Sequence, residues 1–242
     1  MKDHAPMEKL LHQLLERLQK AYDGRLVSVV LYGSAAAGEY APGFSDLNVL
    51  CVLSRVGVDE LERADPIFRW WRDKGNPSPL LLSVEEVRTS TDCFPIEFHD
   101  IKERHRILFG EDVVAGMEID ESFYRARVEF ELRSKLLRLR QKAAGVLHDR
   151  DLLLRLLADS VSTFCVLIRH GLRLCGAEAP FAKREIVARA AEEAGMNAAP
   201  FVSLLDLREG KVKPKQLEPR RLLEEYLAAI ETVVEAVDKV EK

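Results

Sequence analysis

Four residues have types and spacing suited to phosphate chemistry: Gly33, Ser34, Asp46 and Asn48. A glycine at the exit of a strand lets backbone N–H groups come close to an anion. A helix that begins just beyond it adds its positive end at the same place. An aspartate at the head of the following strand offers a carboxylate to a divalent metal. Together these suit a nucleoside triphosphate carried as its metal complex.

The elements that must position these residues can be read on either side of them. The β-branched run from Leu26 to Leu31 predicts a strand that leads into Gly33-Ser34. The small residues Ala35 to Gly38 predict a short helix, and Tyr40 to Phe44 a turn-rich loop. The apolar stretch from Asp46 to Leu53 predicts a second strand. Side chains alternate along a strand, so Asp46 and Asn48 share a face.

This stretch resembles the signature of the polymerase-beta-like nucleotidyltransferases. Their pattern is Gly-Ser, a spacer, an acidic residue, an apolar one and a second acidic one. Gly33-Ser34 and Asp46 match it, and Asn48 stands where the family has its second carboxylate. The layout of a catalytic domain followed by a helical one is similar to that of the aminoglycoside nucleotidyltransferases. The resemblance implies an α+β fold, a small mixed sheet with flanking helices, followed by an all-α helical bundle. It implies that Gly33, Ser34 and Ser45 bind the phosphates of an NTP and that Asp46 binds Mg²⁺ or Mn²⁺. The reaction implied moves a nucleoside monophosphate onto a hydroxyl of a small molecule or polymer. Asp46, Asn48 and Glu97 form the candidate catalytic set.

The family's third carboxylate sits on a strand soon after the paired ones, and two placements are open. If Leu80–Leu82 is that strand, the third acid is absent. If Pro95–Phe98 is, Glu97 is the candidate and Asp100 the weaker one. The other reading of Glu97 and Asp100 is a solvated helix face beside Lys102, Arg104 and Arg106. With Asn48 neutral, an alternative function is a catalytically degenerate nucleotide-binding or protein-interaction protein on the same fold.

Around this centre the chain is mostly helical. Met7 to Tyr22 has helical spacing and stops near Gly24. A helix starts near Val58, and Asp65-Pro66 reads as N-cap and first residue of a second piece. Trp70 and Trp71 lie on that piece, and one of them either stacks a base or packs between domains. Ser83 to Glu86 reads as a capping box. The acidic stretch 111–120 is the expected linker, with domains over 1–115 and 120–242. Four or five helices follow, at about 121–147, 151–175, 182–194, 200–208 and 219–240, and their apolar faces suit a bundle.

Composition narrows the partners. A net charge of −4 gives no strong nucleic-acid signal. No apolar run is long enough to span a membrane, and the polar N-terminus is unlike a signal peptide. Cys51, Cys93, Cys165 and Cys175 form no CxxC pair, which disfavours zinc and suits a reducing cytoplasm. A homodimer is open, and the acceptor stays unspecified.

Overall fold

Alternation along two apolar strands builds the sheet and gives it two buried faces. The computed structural model describes residues 5–36 and 47–240. Strand β1 (Leu26–Tyr32) pairs antiparallel with β2 (Asn48–Leu53), placing Tyr32 opposite Asn48. β1 also pairs antiparallel with β4 (His105–Gly110), where His105 lies opposite Tyr32. β2 pairs parallel with β3 (Leu80–Ser83), so the strand order is β3-β2-β1-β4. The sheet is therefore mixed, as the family resemblance implies.

One face carries Val29, Leu31, Val49, Cys51 and Leu53. It packs on α1 (Ala5–Tyr22) through Leu11, Leu14 and Leu18, and on α2 (Val58–Asp73) through Ala64, Ile67 and Trp71. The opposite face carries Val30, Leu50 and Val52. It packs on Val87 of α3 (Val84–Thr89) and on Phe98 and Ile101 of α4 (Pro95–Glu103), with Val114 and Met117 beyond. Asn48 and Tyr32 belong to this second face by the alternation of side chains.

Three details differ from the sequence expectations. Pro66 does not divide α2, which runs through it as one helix. Pro66 is exposed, so the carbonyl it leaves unpaired meets water, while Ala64, Ile67 and Trp71 keep the buried face continuous. The tryptophan pair also resolves: Trp71 is fully buried in the core, and Arg17 of α1 lies over the Trp70 ring at 4.3 Å. Finally, Leu80–Ser83 is the strand, whereas Pro95–Phe98 opens α4. Pro95 fits the first turn of a helix, where its missing N–H has no partner to lose. Of the two placements for the third carboxylate, the strand one thus falls on Leu80–Leu82, which carries no acid.

Ser83 caps α3 as its sequence suggests. Its hydroxyl accepts the Glu86 N–H at 3.1 Å, and the Glu86 carboxylate accepts the Ser83 N–H at 2.7 Å. The Ser83 N–H and, at 2.8 Å, the Ser83 hydroxyl both donate to the Glu86 carboxylate and hold it below its usual range.

The chain divides into two compact units, residues 1–121 and 122–242. The second consists of α5 (Tyr124–Val146), α6 (Arg150–Leu174), α7 (Lys183–Ala194), α8 (Ala199–Arg208) and α9 (Pro219–Asp238). α6 packs against the other four, which explains why it is apolar on most sides. Gly171 lets α9 approach closely, since a Cβ there would lie 3.2 Å from Val237. Tyr226 fills the centre between Phe164 and Phe201, and its hydroxyl meets Ser160 at 3.1 Å. Among the described residues, no helix is long and apolar enough to cross a membrane.

Candidate active site

The site is built at one end of the β1–β2 pair. β1 ends at Tyr32, and Gly33 follows with φ +78°, a conformation that glycine adopts without penalty. The Gly33 carbonyl accepts the Ala36 N–H at 3.1 Å, closing a turn. Over the described residues, the helix expected from Ala35 is this turn. The Gly33 N–H itself donates to the Arg104 carbonyl at 3.0 Å, next to the start of β4. It is therefore not available to an anion. Among the described residues, the N–H groups of Ser34 and Ala35 have no acceptor.

Asn48 opens β2 directly beside this turn. Its side-chain nitrogen lies 3.3 Å from the point where a Cβ on Gly33 would sit. The missing side chain at position 33 is thus what makes room for the amide. Ser45 and Asp46 lie outside the described residues.

Leu47 precedes Asn48 and is fully buried. Its N–H donates to the side-chain oxygen of Asn76 at 3.3 Å. Asn76 follows Gly75 beyond the end of α2, is itself buried, and donates its own N–H to the Trp71 carbonyl at 3.4 Å. Its side-chain nitrogen is buried and has no hydrogen-bond partner among the described residues.

Glu97 approaches from α4. One of its carboxylate oxygens is buried and lacks a hydrogen-bond partner among the described residues. Burial above all, then the charges of Glu97 and Asp100, push the Tyr32 hydroxyl well above its ordinary value. Both acids therefore lie near Tyr32, which itself stands opposite Asn48. Glu97 and Asp100 thus act on Tyr32, and Tyr32 pairs with Asn48 beside Gly33. Glu97 does so from a helix and not from a strand.

The histidines hold other positions. His99 is buried in α4 and pairs with Glu121 at 3.0 Å. His105 approaches Asp112 at 3.5 Å. Among the described residues, no group of three or more His, Cys, Asp or Glu could hold a metal ion. The Glu97 carboxylate and the Asn48 amide each carry an oxygen of the kind Mg²⁺ takes.

A separate cleft of about 770 Å³ opens in the same unit. It lies between α3 and residues 113–120, floored by Val84, Val87, Val113 and Met117, with Arg88 and Glu118 also lining it.

Tyr32 and Asn76 were not singled out in the sequence. Tyr32 was findable, since it immediately precedes Gly33 and shares Asn48's face. Asn76 had only its place after a helix-ending glycine to mark it.

Residues 11–135 match the family described as "Nucleotidyltransferase domain". The crystal structure of spectinomycin adenyltransferase AAD(9) from Enterococcus faecialis with ATP and spectinomycin aligns with a TM-score of 0.62 at 14% identity. The alignment covers 96% of this chain and 99% of that one. At that identity the likeness is one of fold. A toxin–antitoxin structure with AMP-PNP aligns at a TM-score of 0.29 and 15% identity, over 41% of this chain and 73% of that one, and carries no argument. No curated protein matches the chain.

Proposed function

The chain belongs to the nucleotidyltransferase domain family, and we propose that it transfers a nucleoside monophosphate from an NTP to a hydroxyl of a small molecule or polymer. The observation that carries this reading is the Asn48 amide standing 3.3 Å from where a Cβ on Gly33 would lie, beside a turn whose Ser34 and Ala35 N–H groups have no acceptor among the described residues. The division of labour follows the expected domains, with nucleotide handling in 1–115 and a helical bundle in 120–242.

In this reading the Ser34 hydroxyl and the turn amides hold the phosphates, with Ser45 contributing a further hydroxyl. Asp46 holds Mg²⁺ or Mn²⁺. Asn48 offers a neutral oxygen in place of a second carboxylate, which suits one ion shared with the substrate phosphates better than two full sites. The bound ion supplies charge neutralisation on the triphosphate. Glu97 accepts the proton of the acceptor hydroxyl. The hydroxyl oxygen attacks the α-phosphorus in line, the bond to the β-phosphate oxygen breaks, and pyrophosphate leaves. ATP is the first nucleotide to test, because the AAD(9) structure contains it. A reducing cytoplasm fits the four free cysteines.

The test is incubation with each labelled triphosphate, Mg²⁺ or Mn²⁺, and a broad set of hydroxyl acceptors including aminoglycosides. Release of pyrophosphate that depends on the acceptor supports the reading. A folded protein that releases none under any condition overturns it.

A second reading has one observation in its favour. Phe123, Phe130 and Leu137 recur at intervals of seven along α5 and the residue before it, and each is more than half exposed. A nucleotide-binding protein that pairs with a second copy through this stripe would explain them. Sedimentation of the parent and of Phe130→Ser/Leu137→Ser separates the two readings. A parent dimer that the double substitution dissociates, with no turnover in either, favours the second.

A further inference from the structure

β2 has a gap in its hydrogen bonding at the end that carries the site. On one side β1 pairs with it as far as Asn48. On the other side β3 begins only at Leu80, opposite Leu50. The Leu47 N–H therefore lies beyond both ladders, yet Leu47 is fully buried. A buried N–H without an acceptor is destabilising. The Asn76 side chain supplies that acceptor at 3.3 Å, across 29 residues of chain.

Asn76 is itself held from the opposite direction. Gly75, with φ +84°, ends the turn after α2, and the Asn76 N–H reaches back to the Trp71 carbonyl. Trp71 is fully buried under the sheet. The bond therefore ties the residue that leads into β2 to the C-terminal end of a helix that is anchored in the core.

We infer that Asn76 is a positioning residue for the nucleotide site: its side-chain oxygen acts as an extra rung that fixes Leu47, and through Leu47 holds Asn48 against Gly33. The inference rests on the reading of Gly33, Ser34 and Asn48 as a triphosphate site. A side chain serves better here than another strand residue. The side chain closes the gap where β3 has not yet begun. Asn48 has one covalent neighbour on its N-terminal side, and that neighbour is the residue Asn76 grips. Freeing the Leu47 N–H lets the end of β2 fray, and Asn48 then loses its fixed place beside the turn.

The probe is MgATP, followed by the other three ribonucleoside triphosphates with Mg²⁺, and the readouts are Kd by calorimetry and amide exchange at Leu47. Asn76→Ala is compared with Ser28→Ala. Ser28 is also buried and hydrogen-bonded, at 2.7 Å to the Glu111 carbonyl, but at the far end of β1. Asn76→Ala is expected to raise Kd about tenfold and to speed Leu47 exchange, whereas Ser28→Ala leaves both near the parent values. Equal Kd for Asn76→Ala and the parent overturns the inference, as does an equal loss in Ser28→Ala, which would mark general destabilisation.

The parent alone provides a second test that does not need the alanine variant to fold. Coupling between sites is reciprocal, so bound nucleotide must slow exchange of the Leu47 amide. Binding that leaves Leu47 exchange unchanged overturns the inference while the triphosphate reading stands. A parent that binds no triphosphate overturns both.

Discussion

The amide nitrogen of Asn48 lies 3.3 Å from the position of a Cβ on Gly33, so the two residues are fitted to each other across the end of the β1–β2 pair. Gly33→Ala would put a methyl group against that amide at φ +78°, where an L-residue is strained. The expected loss is about 1–2 kcal/mol, from the strain and the displaced amide together. Chemical denaturation measures it, and MgATP affinity should fall in the same variant. A variant as stable as the parent would mean that Gly33 is not required by its conformation.

Asn48→Asp is expected to strengthen divalent-metal binding, because affinity in oxygen sites rises with ligand charge. With chelator the variant should be somewhat less stable than the parent, since a second carboxylate two residues along the chain from Asp46 adds like charge. Millimolar Mg²⁺ or Mn²⁺ should reverse the loss by mass action. Thermal unfolding with and without metal reads both effects. If the variant gains no more from metal than the parent, positions 46 and 48 share no metal site.

Glu97→Gln should bring the Tyr32 hydroxyl down while leaving it above its ordinary value, because burial is the larger cause. Folded Tyr32 keeps its proton to higher pH than the unfolded chain does. Its contribution to stability is therefore intact below the unfolded value of about 10 and is lost as pH rises above it. The variant should show a shallower loss in that alkaline range. Ultraviolet titration of phenolate, referenced to Tyr32→Phe, gives the shift. In the same variant, turnover should fall by about 10²-fold or more if Glu97 takes the acceptor proton.

Glu60 is buried, 1% exposed, and its carboxylate accepts from Arg25 at 2.7 Å, with Arg55 at 3.7 Å. Arg25→Ala leaves that carboxylate with a weaker partner only. Arg25 is 31% exposed, so the cost should be about 2 kcal/mol, below the range for a fully buried pair. Adding Glu60→Gln should recover part of it. A double variant no more stable than Arg25→Ala would mean that the arginine acts through packing and not through charge.

Gly110→Ala should be the most damaging of these changes. A Cβ there would fall 1.9 Å from the Val27 carbonyl oxygen, and the backbone already has φ +76°. We expect a loss of about 4 kcal/mol or more, or failure to fold, read by denaturation and yield.

The sequence carried the sheet and the bundle well because both depend on periodic apolar residues. Leu26–Tyr32 and Asn48–Leu53 alternate onto two cores, and α6 is apolar around most of its surface because other helices pack around it. Pro66 was misleading because a proline on an exposed helix face can be tolerated when the buried face continues past it. Pro95–Phe98 was ambiguous because four mostly apolar residues fit either a strand or the first turn of a helix. Tyr32's tie to Glu97 and the Asn76 bond are contacts between distant segments, which no local pattern encodes. Gly33 shows a subtler limit. Its motif pointed to an N–H for an anion, but the Arg104 carbonyl just before β4, some seventy residues later, takes it.

The strand order also sets a timetable. β1 is an inner strand, yet one of its two neighbours is β4, the last strand of the sheet to be synthesised. Until residue 110 has left the ribosome, one edge of β1 has no partner, and Val29, Val30 and Leu31 are among the most apolar residues the nascent chain exposes. Closing so long a loop is slow, and an open apolar edge in the meantime is a template for pairing with another chain. Chains halted before β4 should therefore aggregate or recruit a chaperone, while those halted just after it should become protease-resistant. The first unit would thus mature in one step late in its synthesis, when β4 docks beside a strand made about eighty residues earlier.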